Sequence, residues 1–119
     1  MSLGHRLVAV LFYHLGLGAL FRRIFARRLV VLTYHGVVPE GPVAEADLER
    51  KFVLEPDFIR QLDFLERHYR PVSLEEVERA LTGGPPLPPG AVLLTFDDGY
   101  ENNVLHAAPH LEARGIPAV

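Results

Sequence analysis

The chain has 119 residues, 49% of them apolar, no cysteine and a formal net charge of −3. That length suits one small domain that buries roughly two-thirds of its unfolded surface. The composition excludes global disorder, a disulfide framework and a thiolate site.

The charge is unevenly placed. Residues 1–39 hold no acid and five arginines, Arg6, Arg22, Arg23, Arg27 and Arg28, whereas residues 40–119 hold all 15 acids against seven basic residues. The N-terminal arm therefore favours an anionic surface and the remainder does not. No nucleic-acid motif occurs, and Lys51 is the only lysine.

The first predicted element is the apolar run LVAVLFYHLGLGALF, residues 7–21. It is short of the ~20 residues that a spanning helix needs. A secretion signal is disfavoured by its thin positive end and the lack of a cleavage site before Arg22 and Arg23. A membrane-surface helix with a basic collar is a second reading. A helix packed on the domain, or on another part of a larger protein, is the third. Cytoplasmic or membrane-associated placement is favoured over secretion.

RLVVLTYH (28–35) is rich in β-branched residues and predicts a strand covered on both faces. A loop with Pro39, Gly41 and Pro42 follows. EPDFIRQLDFLERHY (55–69) predicts a helix, with Pro56 in its first turn and Phe58, Leu62 and Leu65 on one face. YRPV (69–72) predicts a short strand. Ser73 and Glu76 form the S-x-x-E capping pattern of a second helix, ended at Gly83-Gly84. After the stiff connector PPLPPG (85–90), AVLLTF (91–96) predicts a second buried strand. ENNVLHAAPHLEARG (101–115) predicts a helix that is bent or starts late because of Pro109. IPAV opens another strand. This alternation predicts an α/β fold with a mostly parallel sheet.

The chemistry gathers in LLTFDDGY, residues 93–100. In parallel α/β folds, sites form at the carboxyl ends of strands, where Asp97 and Asp98 stand. One carboxylate of such a pair can bind a divalent metal while the other stays ionised as a proton acceptor. Gly99 permits a backbone conformation that a Cβ resists, or close approach of a ligand; Tyr100 packs beside the site. On spacing alone an ordinary Asp-Asp-Gly turn is the commoner reading, and acidic pairs also hold magnesium in phosphoryl-transfer proteins. Against phosphoryl transfer stand the lack of a glycine-rich phosphate loop and the single lysine.

The whole string resembles the first motif of the polysaccharide deacetylase family with the NodB-homology domain (carbohydrate esterase family 4). VLTYHGV (31–37) resembles the first-strand signature of one branch of that family. FIRQLDFLERHYRPVSLEEV (58–77) and PHLEARGIPAV (109–119) resemble its following segments. The resemblance covers residues 29–119 and sets 1–28 apart as an apolar, basic helical arm. It implies a distorted (β/α) barrel, here truncated after about its first half. It also implies a metal-dependent hydrolase that removes N-acetyl groups from amino-sugar polysaccharides. In the family's motif the first aspartate is the general base, which falls on Asp97. The second binds the metal, usually zinc, and falls on Asp98. The family's H-[S/T]-x-x-H metal motif, its arginine motif and its late general-acid histidine find no counterpart here, so the site is incomplete and the piece is expected to be inactive alone.

Three histidines need separate readings. His106 and His110 in HAAPH have the spacing that places two ligands on one helical face, but they fall where the family carries no ligand. Helix-surface histidines are the favoured reading. His35 lies at a strand end near Asp97 and is read either as a histidine bonded in its loop or as a substrate contact or support for the site. Tyr34 is assigned to packing. A non-catalytic membrane-surface or partner-binding module built on residues 1–28 is the reading from a different class.

Overall fold

The computed structural model describes residues 17–42 and 51–119. Helix α1 (Leu17–Ile24) is followed by strands β1 (Val30–Tyr34), β2 (Gly36–Val38) and β3 (Phe52–Leu54). Helix α2 (Glu55–His68), strand β4 (Arg70–Pro71), helix α3 (Leu74–Leu81) and strand β5 (Ala91–Phe96) come next. A π-helical turn (Asn103–Ala107) then runs into α4 (Ala108–Arg114).

The main sheet has the order β1-β5-β4 and is parallel throughout, with Tyr34 opposite Phe96 and Pro71 opposite Val92. The chain end joins the same edge of β5 beyond β4: Val119 N–H donates to the Leu94 carbonyl at 3.0 Å, and Phe96 N–H to the Val119 carbonyl at 2.7 Å. The segment read as the opening of a strand thus makes one parallel bridge, Leu94 to Ala118.

Side-chain alternation along β5 feeds two cores. Val92 and Leu94 pack with Phe58, Leu62 and Leu65 of α2 and Leu111 of α4. Ala91 and Leu93 pack with Val72 and Val77. Phe58 and Leu62 are fully buried, as the one-faced apolar pattern of α2 requires. Tyr34 is buried, T-stacked on Phe58 at 5.2 Å, and its hydroxyl donates to Gln61 at 2.9 Å. It is a packing residue, as read from the sequence. Burial raises its phenol pKa.

The capping box is present as predicted: Ser73 N–H donates to Glu76 Oε2 at 2.8 Å, and Glu76 N–H to Ser73 Oγ at 3.2 Å. Pro109 acts as expected on the last helix. Glu101 and Asn102 are α-helical, 103–107 widen into the π-helical turn, and regular α geometry resumes at Ala108, whose N–H reaches back five residues to the Asn103 carbonyl. Proline removes the N–H that an α turn would use at 109, and the wider turn before it takes up the mismatch.

Two expectations are corrected. β1 is not covered on both faces: Val30, Leu32 and Tyr34 turn inward, while Val31 is 53% exposed and Thr33 is also open. An apolar run records what a strand can bury, not whether a second layer is at hand. The segment after His35 is not all loop, because Gly36–Val38 pairs in parallel with Phe52–Leu54 in a separate two-stranded sheet. Three-residue strands are too short to show a period. The arm was expected to be helical over 5–22; residues 5–16 lie outside the described residues, and α1 accounts for the rest. Arg22 sits over the Phe64 ring at 5.6 Å, so α1 touches α2.

Candidate active-site corner

The carboxyl ends of β1 and β5 lie side by side, and the next residue on each is His35 and Asp97. Asp97 N–H extends the strand pairing by donating to the Tyr34 carbonyl at 2.8 Å. Thr33 and Thr95 bond through their hydroxyls at 2.9 Å on the open face of the sheet. By period-two alternation that face continues to His35 and Asp97.

Asp97, Asp98, Gly99 and Tyr100 are exposed, and His35 is half-buried. Asp98 has φ 64°, the only non-glycine positive φ among the described residues, and Gly99 follows at φ 61°. Two left-handed residues in succession turn the chain sharply off the strand. A left-handed residue with a Cβ costs roughly 1–2 kcal/mol, which aspartate tolerates better than most. Gly99 takes the left-handed conformation that glycine permits, and a Cβ there would meet no protein atom within 4 Å. Tyr100 packs edge-on against Phe52 at 5.2 Å, beside the corner as expected.

Sequence reasoning missed the residues that hold this corner together. Asn103 Nδ2 donates to the His35 carbonyl at 3.1 Å. A Cβ on Gly36 would lie 2.8 Å from both side-chain polar atoms of Asn102 and 2.7 Å from the Phe52 ring. The Oδ1 atoms of Asn102 and Asn103 are buried without a hydrogen-bond partner among the described residues. The adjacent asparagines were visible as ENN, but nothing local said that they reach a turn 68 positions earlier. The Asn103 bond reaches the backbone carbonyl of His35, not its imidazole.

His106 and His110 are not plain surface histidines. His110 Nε2 lies 2.7 Å from Glu55 Oε1, and His106 Nδ1 lies 3.2 Å from Glu55 Oε2. The hydrogen bond from His110 holds the Glu55 carboxyl below its ordinary pKa; burial opposes it, and the charges of the two imidazoles and the His106 hydrogen bond add to the lowering.

Among the described residues, no group of three His, Cys, Asp or Glu side chains is arranged to hold a metal ion. Asp98 alone does not fit the three protein ligands that a catalytic zinc needs. An open groove of about 450 Å³ between β1 and α2, floored by Val30, Leu32 and Leu65, includes neither aspartate.

No protein-family model matches the chain. Over 91 residues it is 38% identical to the poly-beta-1,6-N-acetyl-D-glucosamine N-deacetylase of Escherichia coli K12, a match that covers 76% of this chain and 13% of the relative. Among solved structures it is similar to IcaB from Ammonifex degensii, with 40% identity and a TM-score of 0.64 over 76% of this chain and 36% of that one. The chain matches a partial polysaccharide deacetylase domain. The Streptococcus pyogenes deacetylase PplD, solved in complex with acetate, superposes on the partial deacetylase domain with a TM-score of 0.65 at 30% identity, covering 76% of this chain and 40% of that one. The chain thus spans well under half of each relative's length, and its open sheet face is in keeping with a truncated barrel.

Proposed function

We propose that the chain is part of a hydrolase that removes N-acetyl groups from an amino-sugar polysaccharide, with residues 29–119 as the deacetylase portion and 1–28 as an arm. One observation carries the reading: the TFDDGY turn leaves the carboxyl end of a central parallel strand, within a fold that matches deacetylases at up to 40% identity. Asp97 is the general base. Its exposed carboxylate stands at the strand end, where a polymer can approach. Asp98 is one ligand of a divalent metal, zinc on the family resemblance, and the described residues do not complete that site. His35, Gly99 and Tyr100 line or support the same corner. The relatives are deacetylases, which favours this reading over phosphoryl transfer through the aspartate pair.

The test is acetate release from an N-acetylglucosamine polymer. A complete protein carrying this segment is expected to release acetate and to stop when chelated. The 119-residue chain alone is expected to release none, because its described residues bring one metal ligand where about three are needed. Acetate release by the isolated chain would overturn the incomplete site.

A second reading concerns the arm. Leu20, Phe21 and Ile24 of α1 are 53%, 54% and 66% exposed, and Arg23, Arg27 and Arg28 are exposed close by. Apolar side chains ringed by arginines, with no acid before Glu40, suit an anionic membrane surface. No helix among the described residues is long and apolar enough to cross a membrane. Flotation with vesicles containing a quarter phosphatidylglycerol should carry the chain upward at low salt, and neutral vesicles should not. Equal flotation with both, or with neither, would remove the electrostatic surface contact.

A further inference from the structure

We infer that Glu55 is a positioning residue for the aspartate-bearing turn, acting through His106 and His110. Glu55 opens α2 directly after β3, and β3 pairs with β2, the strand that follows His35. Its two carboxylate oxygens take different imidazoles, His110 at 2.7 Å and His106 at 3.2 Å. The three side chains are 26–29% exposed, so these contacts are partly shielded from water. Ala107 and Leu111 already seat this helix on the core, and polar contacts narrow its remaining rotation about its own axis. Two contacts, one in the π-helical turn and one in α4, fix that rotation.

The rotation matters because the same turn carries Asn103 at its start. Asn103 must face the His35 carbonyl to donate at 3.1 Å, and Asn102 must lie flat against Gly36. With a Cβ-sized space already filled at Gly36, a turned helix has no second way to fit. Glu55 is therefore linked through the histidines and the asparagines to the backbone beside Asp97.

The other charged groups nearby are otherwise engaged. Asp57 and Arg60 pair with each other in α2. Arg114 is held by Asp63 at 3.0 Å and Glu66 at 3.3 Å. Lys51 precedes β3. The lowered pKa of Glu55 traces to His110 and His106 alone, which agrees with a carboxylate committed to these two partners.

The meaning of this link rests on reading the end of β5 as the catalytic corner, but the link itself is measurable without turnover. In the unaltered chain, the side-chain amide signals of Asn103 should shift with pH in step with the imidazole signals of His106 and His110. In Glu55→Gln, amide exchange over residues 98–103 should accelerate about tenfold, as expected for loss of a charge-assisted hydrogen bond, while α3 amides keep their protection. His106→Gln/His110→Gln should reproduce this, and adding Glu55→Gln to it should change nothing more. Asn103 signals that stay fixed while the imidazoles titrate would overturn the proposal, even if no variant folds. So would equal acceleration in α3, which marks general destabilisation, or additive effects of the two sets. Loss of acetate release in a complete protein with the Asn103 coupling intact would count against the deacetylase assignment of Asp97 and leave the positioning link standing.

Discussion

The side-chain amide of Asn103 reaches the backbone carbonyl of His35 at 3.1 Å and so ties the helix after β5 to the end of β1, 68 positions away in sequence. The bond lies next to the strand pairing from Asp97 to Tyr34, and together they set the corner's shape. Its geometry depends on Gly36. Gly36→Ala should destabilise the chain by roughly 1–3 kcal/mol, the usual cost of overpacking, read as a lower denaturant midpoint. A variant as stable as the parent would show that Asn102 does not lie against that backbone.

The left-handed Asp98 invites a second measurement. Asp98→Asn should change stability little, because asparagine also tolerates positive φ. Asp98→Val should cost about 1–2 kcal/mol, since a β-branched side chain clashes there. Equal stability of the two variants would mean that the turn is built differently.

Loss of the Ser73 cap is expected to cost about 1 kcal/mol in Ser73→Ala, with most of it restored in Ser73→Thr. Thermal unfolding followed by circular dichroism reads this directly. A null effect would mean that α3 is held by packing of Val77 alone.

The pH dependence of Glu55 follows from the sign of its shift. Its folded pKa lies below the ordinary carboxylate value of 4.5, so between those two values the folded chain binds fewer protons than the unfolded one. The stability it contributes is full above the ordinary value and is lost as pH falls through the folded one. The gap in stability between the parent and Glu55→Gln should therefore shrink as pH falls below the ordinary carboxylate value. A gap that widens on acidification would reverse the sign of the interaction.

Within a complete protein, the two aspartates should separate by role. Asp97→Asn keeps shape and hydrogen bonding but removes the proposed base, so metal content should hold while turnover falls about 100-fold or more. Asp98→Ala should lose metal and turnover together. Metal analysis beside acetate release distinguishes them, and an Asp97→Asn enzyme with full turnover would remove Asp97 from the base role.

Much of the frame was legible in the chain because it is encoded locally. β-branched runs predicted β1 and β5, and one-faced apolar spacing predicted α2 with Phe58, Leu62 and Leu65 inward. Ser73 and Glu76 announced their cap, and Pro109 its irregular turn. TFDDGY marked the candidate site and, through resemblance, the family. Each of these signals acts within a few residues, over one turn or one pleat.

What the tertiary structure decided depends on contacts between distant positions. Only the folded chain brings Asn103 to His35, presses Asn102 against Gly36, and turns His106 and His110 from surface residues into partners of Glu55. The brief pairing of β2 with β3 and the open face of β1 belong to the same class. Hydrophobic pattern states which side chains prefer burial, but the partner across a gap is set by the path of the backbone between them. For this reason the aspartates could be named from the sequence, while the asparagines and the carboxylate that hold their turn could not.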